Sequence, residues 1–523
     1  MKPLATFTGP LPGRAAADAV EDAQKKFFET GHLQSNLTGR VVSAGIVTAV
    51  AQAIKFAINL GSAVVLARML VPEDFGLIAM VTTITGFLRV FKDAGLSTAT
   101  IQRDEITHAQ VSNLFWINFT VSAALSLLVA ALSPAIAWFY RDSRLVAVTL
   151  ALAGTFVLGG AVVQHQALLN RQMRFKAIAA IEILSAFFGL IVGIVMARAG
   201  YQYWSLVGMQ LCAGLTELII TLAISRWRPG APKRQAGTRS LVHFGASLTV
   251  ASVFRRIATG MDSLLIGRWY GADAVGLYTR GAILLMRPID QLITPLESVF
   301  TPVLSRLQND PDRYRRTFLQ VYGAIALISF PAAGLFMALS RPIVLALLGP
   351  KWQQVIPIFA WFTIGGLYFP LYYAVMWLLN TQGRGKDIMT TGLIFSFTTI
   401  GSFLAGLPFG AVGVAASFSC VGVLVRLPVQ YHIVGKSGPV SRSDLWSVAL
   451  RYLPNWLIVL TITMLTRAAL PSSISPIFEL LVCTPAGIAA AVLITFAVPA
   501  QRRDALRILE LLKPFLVRFS KRW

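Results

Sequence analysis

The chain has 523 residues, of which 55% are hydrophobic and only 13% are charged, about half the charged share of soluble domains, near 25%. Its formal net charge is +23, which in a soluble protein would indicate a nucleic-acid partner. Here the basic residues lie in short connections between apolar runs, where the positive-inside bias explains them, so we expect no nucleic acid to be bound.

Apolar windows of about 20 residues recur along most of the chain, each long enough to cross a hydrocarbon layer of about 30 Å. The pattern predicts an all-α polytopic membrane protein with about 14 transmembrane helices. The N-terminal extension lacks a continuous apolar stretch, so we expect no cleavable signal peptide. The predicted spans are 42–66, 75–95, 112–137, 146–166, 177–197, 203–225, 240–267, 274–300, 317–340, 354–379, 388–407, 411–433, 447–468 and 478–499.

The distribution of Lys and Arg predicts the orientation of these spans. With an even number of spans, both termini share one side with every second connection. That side carries about 29 Lys and Arg against about 8 on the other, so we expect both termini to be cytoplasmic. The cytoplasmic connections are 97–111, 167–176, 226–239, 304–316, 380–387 and 434–446.

The chain repeats itself at an offset of about 200 residues. The segment "SAVVLARMLVPEDFGL" (62–77) aligns with "DSLLIGRWYGADAVGL" (262–277), and "LLNRQMRFK" (168–176) aligns with "LLNTQGRGK" (378–386). Each copy holds six spans, so both have the same orientation and form a parallel repeat, as in two-lobed carriers. The predicted organisation is a cytoplasmic extension (1–40), an N-lobe (41–225), a basic linker (226–239), a C-lobe (240–434), two further helices (435–499) and a basic amphipathic tail (500–523).

Polar residues follow one face of the first span, and the second copy repeats most of them. Because ionisable residues are costly inside a membrane, such a stripe indicates a wet interior. The predicted first-copy stripe is Thr48, Gln52, Lys55, Asn59 and Ser62, and its counterparts are Ser252, Arg255, Thr259 and Asp262.

The second and eighth spans add further charged residues on shared faces: Arg89 in the second, and Arg280, Arg287, Asp290 and Glu297 in the eighth. The alternative for Arg89, near the cytoplasmic end of its span, is a side chain that snorkels to the membrane surface. A cation-rich cavity suits a phosphate-bearing headgroup, since Arg presents a planar fork of donors. The alternative is neutral networks in which Arg255 pairs with Asp262 and Arg287 with Asp290. The predicted cavity residues are Lys55, Arg255, Arg287, Arg280, Gln52, Asn59, Ser252, Arg89 and Arg256.

Three acidic residues inside spans are candidates for ion coupling: Asp262, Glu182 and Glu217. For Glu182 and Glu217, interhelical hydrogen bonding is the commoner role. "DPD" (310–312) imitates a metal-binding motif, but a helix cap at Asn309 or Asp310 followed by Pro explains it better. We expect no catalytic residues, no metal site and no cofactor, and hence no enzyme.

The segments "RMLVPEDFGLIAM" (68–80), "DAGLSTATIQR" (93–103), "FWINF" (115–119), "RQMRFKAIA" (171–179), "MDSLLIGRWYGADAVGLYTRG" (261–281) and "PVLSRLQNDPDRYRR" (302–316) resemble the bacterial polysaccharide transporter family. That family belongs to the superfamily of multidrug and oligosaccharidyl-lipid exporters. The resemblance implies a V-shaped, two-lobed bundle of the inner membrane that flips a polyprenyl-pyrophosphate-linked oligosaccharide outward by alternating access.

The resemblance also implies membrane lipids, a polymerase and a chain-length regulator as partners. Lys55, Arg255 and Arg287 are the positions we match to the cationic cavity residues of related flippases. One alternative function is a multidrug or cation antiporter of the same superfamily, whose substrates would call for acidic cavity residues. A more remote one is a membrane-embedded glycosyltransferase or ligase, which generally needs a larger extramembrane region.

Overall fold

A computed structural model describes residues 37–93, 95–103, 106–233, 260–471 and 473–506. The predicted cavity residues Ser252, Arg255 and Arg256 lie outside these ranges. So do residues 1–36 of the N-terminal extension, 234–239 of the linker and 507–523 of the tail. Throughout the described residues, the regular secondary structure is helical.

The chain divides into two compact units. The first comprises Met1–Leu70 and Val81–Ile257, and the second comprises Val71–Met80 and Ala258–Trp523. The helices that contribute to the first unit are α1 (Leu37–Met69), α2 (Pro72–Asp93, whose first residues belong to the second unit), α3 (Leu96–Gln102), α4 (His108–Tyr140), α5 (Arg144–Arg171), α6 (Phe175–Arg198) and α7 (Trp204–Ser225).

In the first unit, α4 packs along α5 and α6 packs along α7, while α1 lies against α6 and α7 lies against α5. One end of the bundle is closed by a buried cluster in which Phe115 and Trp227 pack on the His165 ring. The Nδ1 atom of His165 is hydrogen-bonded to the Ser225 hydroxyl at 2.9 Å. This cluster fixes the ends of α5 and α7 relative to each other.

The second unit contains α8 (Met261–Arg306), α9 (Pro311–Ala338), α10 (Ser340–Leu347), α11 (Val355–Gly365), α12 (Phe369–Thr381), α13 (Gly385–Gly406), α14 (Gly410–Val421), α15 (Leu427–Val434), α16 (Arg442–Ala468) and α17 (Pro476–Ala497). Helix α9 packs along α16, and α16 packs along α17. Helix α8 contacts α11, α12 and α14.

Local capping explains several helix ends. Asp310 accepts a hydrogen bond from the Arg313 backbone N–H at 3.0 Å, with Pro311 in the first turn of α9, which confirms the capping interpretation of "DPD". In the turn between α4 and α5, Asp142 accepts a hydrogen bond from the Arg144 guanidinium at 2.7 Å. That hydrogen bond holds the pKa of the Asp142 carboxyl below its usual value.

The internal repeat has a structural counterpart within the second unit. A Cβ on Gly76 would lie 1.7 Å from the Ala272 carbonyl oxygen, and a Cβ on Gly276 would lie 1.9 Å from the Pro72 carbonyl oxygen. The two contacts are equivalent under the repeat, because a shift of 200 residues relates Gly76 to Gly276 and Pro72 to Ala272. Gly271, with φ of 80°, breaks α8 at the position where the first copy passes from α1 to α2. The matched breaks and contacts support the repeat predicted from the sequence.

Ten helical segments of the described chain are long and apolar enough to cross a membrane, which confirms an all-α, multi-pass membrane protein. The predicted total of about 14 is not established by this count. Helices α2 and α8, which carry several charged residues, are not among the ten. Predicted span 354–379 is divided into α11 and α12, and span 411–433 into α14 and α15, which are joined by a π-helical turn at Gly422–Arg426.

Candidate functional site

The first unit contains a cavity of about 560 Å³ whose wall is partly polar and partly apolar. Arg89 enters it from α2, Gln166 from α5 and Glu217 from α7. Ser97, Asn170 and Gln210 also line it, and the remaining wall is formed by apolar and small residues, among them Ile101, Phe156, Val163, Ala213 and Gly214. A cavity of this size can hold a small organic group, since ligand clefts are about 300–1,000 Å³.

Helical spacing brings these polar side chains to one wall. Gln166 and Asn170 are four residues apart on α5, and Gln210 and Glu217 are seven apart on α7, so each pair shares a helix face. Gln166 Nε2 donates to Glu217 Oε1 at 2.7 Å. This bond ties α5 to α7 across the cavity and fixes the Gln166 amide, whereas Arg89 is exposed. The cavity therefore combines a cation, amide groups and one carboxylate.

Lys55 and Glu182 form a second polar element of the first unit. Lys55 Nζ lies 3.0 Å from Glu182 Oε2, joining α1 to α6, and the two side chains are 35% and 31% exposed. The structure thus pairs a predicted cavity residue with a predicted coupling residue. Gln52 and Asn59 are exposed on α1, one helical turn to either side of Lys55.

In the second unit, Arg280 lies against an aromatic surface. Its guanidinium carbon is 3.9 Å from the centre of the Phe75 ring, and Phe75 packs edge-on against Trp352 at 5.3 Å. This geometry is a cation–π contact, which stabilises a cation without a carboxylate. Arg287 and Asp290 are exposed on α8 and interact electrostatically, and Glu297 is exposed two turns further along. That Arg280 and Arg287 bind substrate stays a prediction.

The Asp262 carboxylate is turned toward the interior of the second unit. It accepts a hydrogen bond from the Ser263 backbone N–H at 2.7 Å and another from the buried Tyr278 hydroxyl. Its predicted partner Arg255 lies outside the described residues. The structure therefore leaves the pairing with Arg255 as a prediction and gives Asp262 a neutral partner in Tyr278.

Arg426 is a buried arginine that the sequence analysis missed. Its guanidinium carbon lies 4.9 Å from the Phe395 ring centre and 4.6 Å from that of Phe418, and only 3% of the residue is exposed. It donates to the Thr398 and Ser402 hydroxyls at 3.2 and 3.1 Å. A lone Arg inside an apolar run, two residues before Pro428, was the available indication.

Gln166, Asn170 and Gln210 were also missed, although each has a polar partner four or seven residues away on its helix. Of the residues predicted for substrate or coupling, the structure brings Arg89 and Glu217 into one cavity and joins Lys55 to Glu182. Across the described chain, no group of three or more His, Cys, Asp or Glu residues is placed to hold a metal ion.

A sequence profile described as polysaccharide biosynthesis protein matches residues 65–357. The chain belongs to this family. Among its relatives is the teichuronic acid biosynthesis protein TuaB of Bacillus subtilis, 28% identical over 358 residues, which cover 67% of this chain and 72% of TuaB. The lipopolysaccharide biosynthesis protein WzxC of Escherichia coli is 25% identical over 412 residues, covering 77% and 82%. The predicted resemblance to polysaccharide exporters is confirmed.

A solved structure shares the fold. The lipid II flippase MurJ in an inward closed conformation superimposes with a TM-score of 0.71 at 15% sequence identity, covering 86% of this chain and 98% of MurJ. At this identity the similarity concerns the fold alone.

Proposed function

We propose that the protein moves a polyprenyl-pyrophosphate-linked oligosaccharide repeat unit across the bacterial inner membrane, for the synthesis of an exopolysaccharide, capsule or O-antigen. The observation that carries this proposal is the polar cavity of the first unit, in a chain of the polysaccharide biosynthesis family. The names of two relatives support the substrate class, since TuaB is a teichuronic acid biosynthesis protein and WzxC a lipopolysaccharide biosynthesis protein. Transport, rather than bond-making chemistry, is the proposed activity.

The composition of the cavity suits such a headgroup. Arg89 supplies a cation whose fork of donors matches phosphate oxygens. The side-chain amides of Gln166, Asn170 and Gln210 offer donors and acceptors to sugar hydroxyl groups. Ser97 and Asn170 lie in or beside connections that the sequence predicts to be cytoplasmic, so the cavity is suited to receive a headgroup made on the cytoplasmic side.

A cation antiporter is the second candidate, and Glu217 is the observation that favours it. A carboxylate in a membrane cavity is the group expected to bind a cationic substrate or a coupling proton. However, Glu217 is hydrogen-bonded to Gln166, and Arg89 lines the same cavity. The cavity therefore holds one cation for its one carboxylate, which favours an anionic or neutral polar ligand over a cationic one.

The decisive experiment uses a strain that lacks the gene, complemented with wild type, Arg89→Ala, Arg89→Lys or Arg198→Ala. Arg198 is the matched control, because it is an exposed arginine at the end of α6 and does not line the cavity. We expect the deletion and Arg89→Ala to lose surface polymer and to accumulate lipid-linked repeat units in the cytoplasmic leaflet. Arg89→Lys should restore part of the polymer, and Arg198→Ala should restore all of it.

Membrane abundance is measured for each variant, so that a folding defect is recognised. Full polymer from Arg89→Ala would remove the cavity from the transport path. Normal polymer in the deletion strain, with altered drug sensitivity, would favour the antiporter.

We also propose that both termini are cytoplasmic and that a polymerase and a chain-length regulator are partners. Reporter fusions to each end of the chain test the location of the termini, and co-purification tests the two partners.

A further inference from the structure

A second charged pocket lies in the second unit, away from the residues discussed above. It has a volume of about 350 Å³ and lies where α10, α16 and α17 meet. Arg341 enters from α10, Arg467 from the last turn of α16 and Glu479 from the first turn of α17. The rim is apolar and contains Met464, Leu470, Pro471 and Ile474. Two cations and one carboxylate leave the pocket with an excess of one positive charge.

Arg467 is held in a fixed orientation by two partners. Its Nε donates to Glu479 Oε1, and its Nη1 donates to the Ala338 carbonyl oxygen at 3.2 Å. The Glu479 side chain is only 9% exposed, and Arg467 keeps 26% of its side chain exposed. A guanidinium carries five N–H donors, so its Nη2 group is available to a ligand.

Arg341 differs from Arg467, because the described residues give its side chain no hydrogen bond and no ion pair and the residue is exposed. An exposed arginine at a helix end, beside an oriented one, provides a second phosphate donor without a structural task of its own. The pair can therefore hold an anionic oxygen group by charge-assisted hydrogen bonds.

An apolar groove of about 410 Å³ runs along the same helices. Val459 lines it from α16 and Gly487 from α17, each eight residues from its helix's charged pocket residue, Arg467 or Glu479. Eight residues correspond to about 12 Å along a helix. Apart from Thr495, its lining residues are apolar or small: Leu327, Ile328, Pro331, Ala332, Leu335, Val459, Gly487, Ile488, Ala491, Val492, Phe496 and Ala505.

We propose that the Arg341–Arg467 pocket and this groove bind one anionic diacyl phospholipid of the surrounding membrane, with the phosphate on the arginines and an acyl chain in the groove. The net positive charge of the pocket favours an anionic headgroup over a zwitterionic one, because a zwitterionic lipid carries its own cation beside the phosphate. The groove suits an acyl chain, because its residues Ile328, Ile488 and Val492 are exposed to the apolar surroundings of a membrane protein. This proposal is independent of the transported substrate.

The predicted orientation of the spans determines the depth of the arginine pocket in the membrane. The connections after α9 and after α16 are predicted to lie on the side opposite the termini. The arginine pocket would then sit among the headgroups of the outer leaflet, and the groove would run inward from it. A bound lipid there would fix α17 against α9 and α16.

The test uses native mass spectrometry of the purified full-length protein, mixed with equal amounts of phosphatidylglycerol and phosphatidylcholine. Wild type should retain phosphatidylglycerol preferentially. Arg341→Gln should weaken phosphatidylglycerol binding about tenfold, the loss expected for one charge-assisted hydrogen bond, and leave phosphatidylcholine binding unchanged. Arg198 is an exposed arginine at the end of α6. Arg198→Gln is therefore the matched control, and its preference for phosphatidylglycerol should equal that of wild type.

A second variant removes the other arginine without leaving its carboxylate unpaired. Arg467→Gln combined with Glu479→Gln should also lose the preference for phosphatidylglycerol, and its thermal unfolding is measured to separate binding from folding. Wild-type binding by both variants would overturn the proposal. So would preferential retention, through these arginines, of a short-chain polyprenyl pyrophosphate over phosphatidylglycerol, because the pocket would then belong to the transported substrate.

Discussion

Arg89 in the first unit and Arg280 and Arg426 in the second show different ways of accommodating an intramembrane arginine. In the first unit, Arg89 is exposed in a cavity lined by amides and a carboxylate. In the second, Arg280 lies over the Phe75 ring and Arg426 is enclosed between Phe395 and Phe418. An arginine inside a membrane span therefore indicates a wet site only where polar groups surround it. Where aromatic rings cover both faces, it is a structural residue, and the sequence position alone does not distinguish the two cases.

Replacing Arg426 gives the largest expected effect. Arg426→Ala removes two ring contacts and two hydroxyl hydrogen bonds and leaves a cavity, so we expect a loss of about 3–4 kcal/mol in the free energy of unfolding. Arg426→Lys should lose about 2 kcal/mol, since an ammonium group cannot stack as a plane. Thermal unfolding in detergent measures both.

Arg89→Ala is the comparison, because Arg89 is exposed in the cavity, so its replacement should lower transport and cost less unfolding free energy than Arg426→Ala. If Arg426→Ala unfolded like wild type and lost only transport, the distinction between a structural and a functional arginine would be wrong.

Close packing of the second unit predicts the next effect. A Cβ at Gly76 or Gly276 would meet a backbone carbonyl oxygen at less than 2 Å, so Gly76→Ala and Gly276→Ala should each cost about 2–3 kcal/mol. Both residues lie at one helix crossing, so the double variant should lose less stability than the sum of the two single losses.

Gly61→Ala, on α1 of the first unit, is the control. A Cβ there has no atom within 4 Å, and alanine is the better helix former by about 1 kcal/mol. Its stability should stay equal or rise. Equal losses at Gly61 and Gly76 would mean that the close crossing is not the reason why Gly76 cannot be replaced by alanine.

The sequence predicted the helices better than their interruptions. Apolar length located most spans, because crossing a hydrocarbon layer demands it. The interruption between α11 and α12 was missed, although Gly365, Gly366 and Pro370 marked it, because the residues around them continue the apolar run. The π-helical turn before α15 has no comparable mark. It ends at Arg426, whose aromatic partners lie on α13 and α14.

The candidate site was predicted as separate residues and not as pairs. Polar periodicity selected Lys55 and Arg89, and the cost of burying charge selected Glu182 and Glu217. Lys55 and Glu182 are 127 residues apart in sequence, and their contact depends on the packing of α1 against α6. Helical spacing predicts which residues share a face, whereas a partner on another helix is decided by tertiary packing.

The smallest predicted effect is the coupling free energy of the Lys55–Glu182 pair. This pair tests, within the first unit, the difference between a functional and a structural charged residue. Both side chains remain about one-third exposed (35% and 31%), so a double-mutant cycle with Lys55→Met and Glu182→Gln should give a coupling of only about 0.5–1 kcal/mol. A weak pair can exchange its partner for a substrate phosphate at little cost. If Lys55 contacts the headgroup, Lys55→Met should abolish polymer export, whereas Glu182→Gln, which leaves the cation available, should retain it. Equal loss of export in both variants, together with a coupling above about 3 kcal/mol, would instead make the pair a structural clamp, as Arg426 is in the second unit.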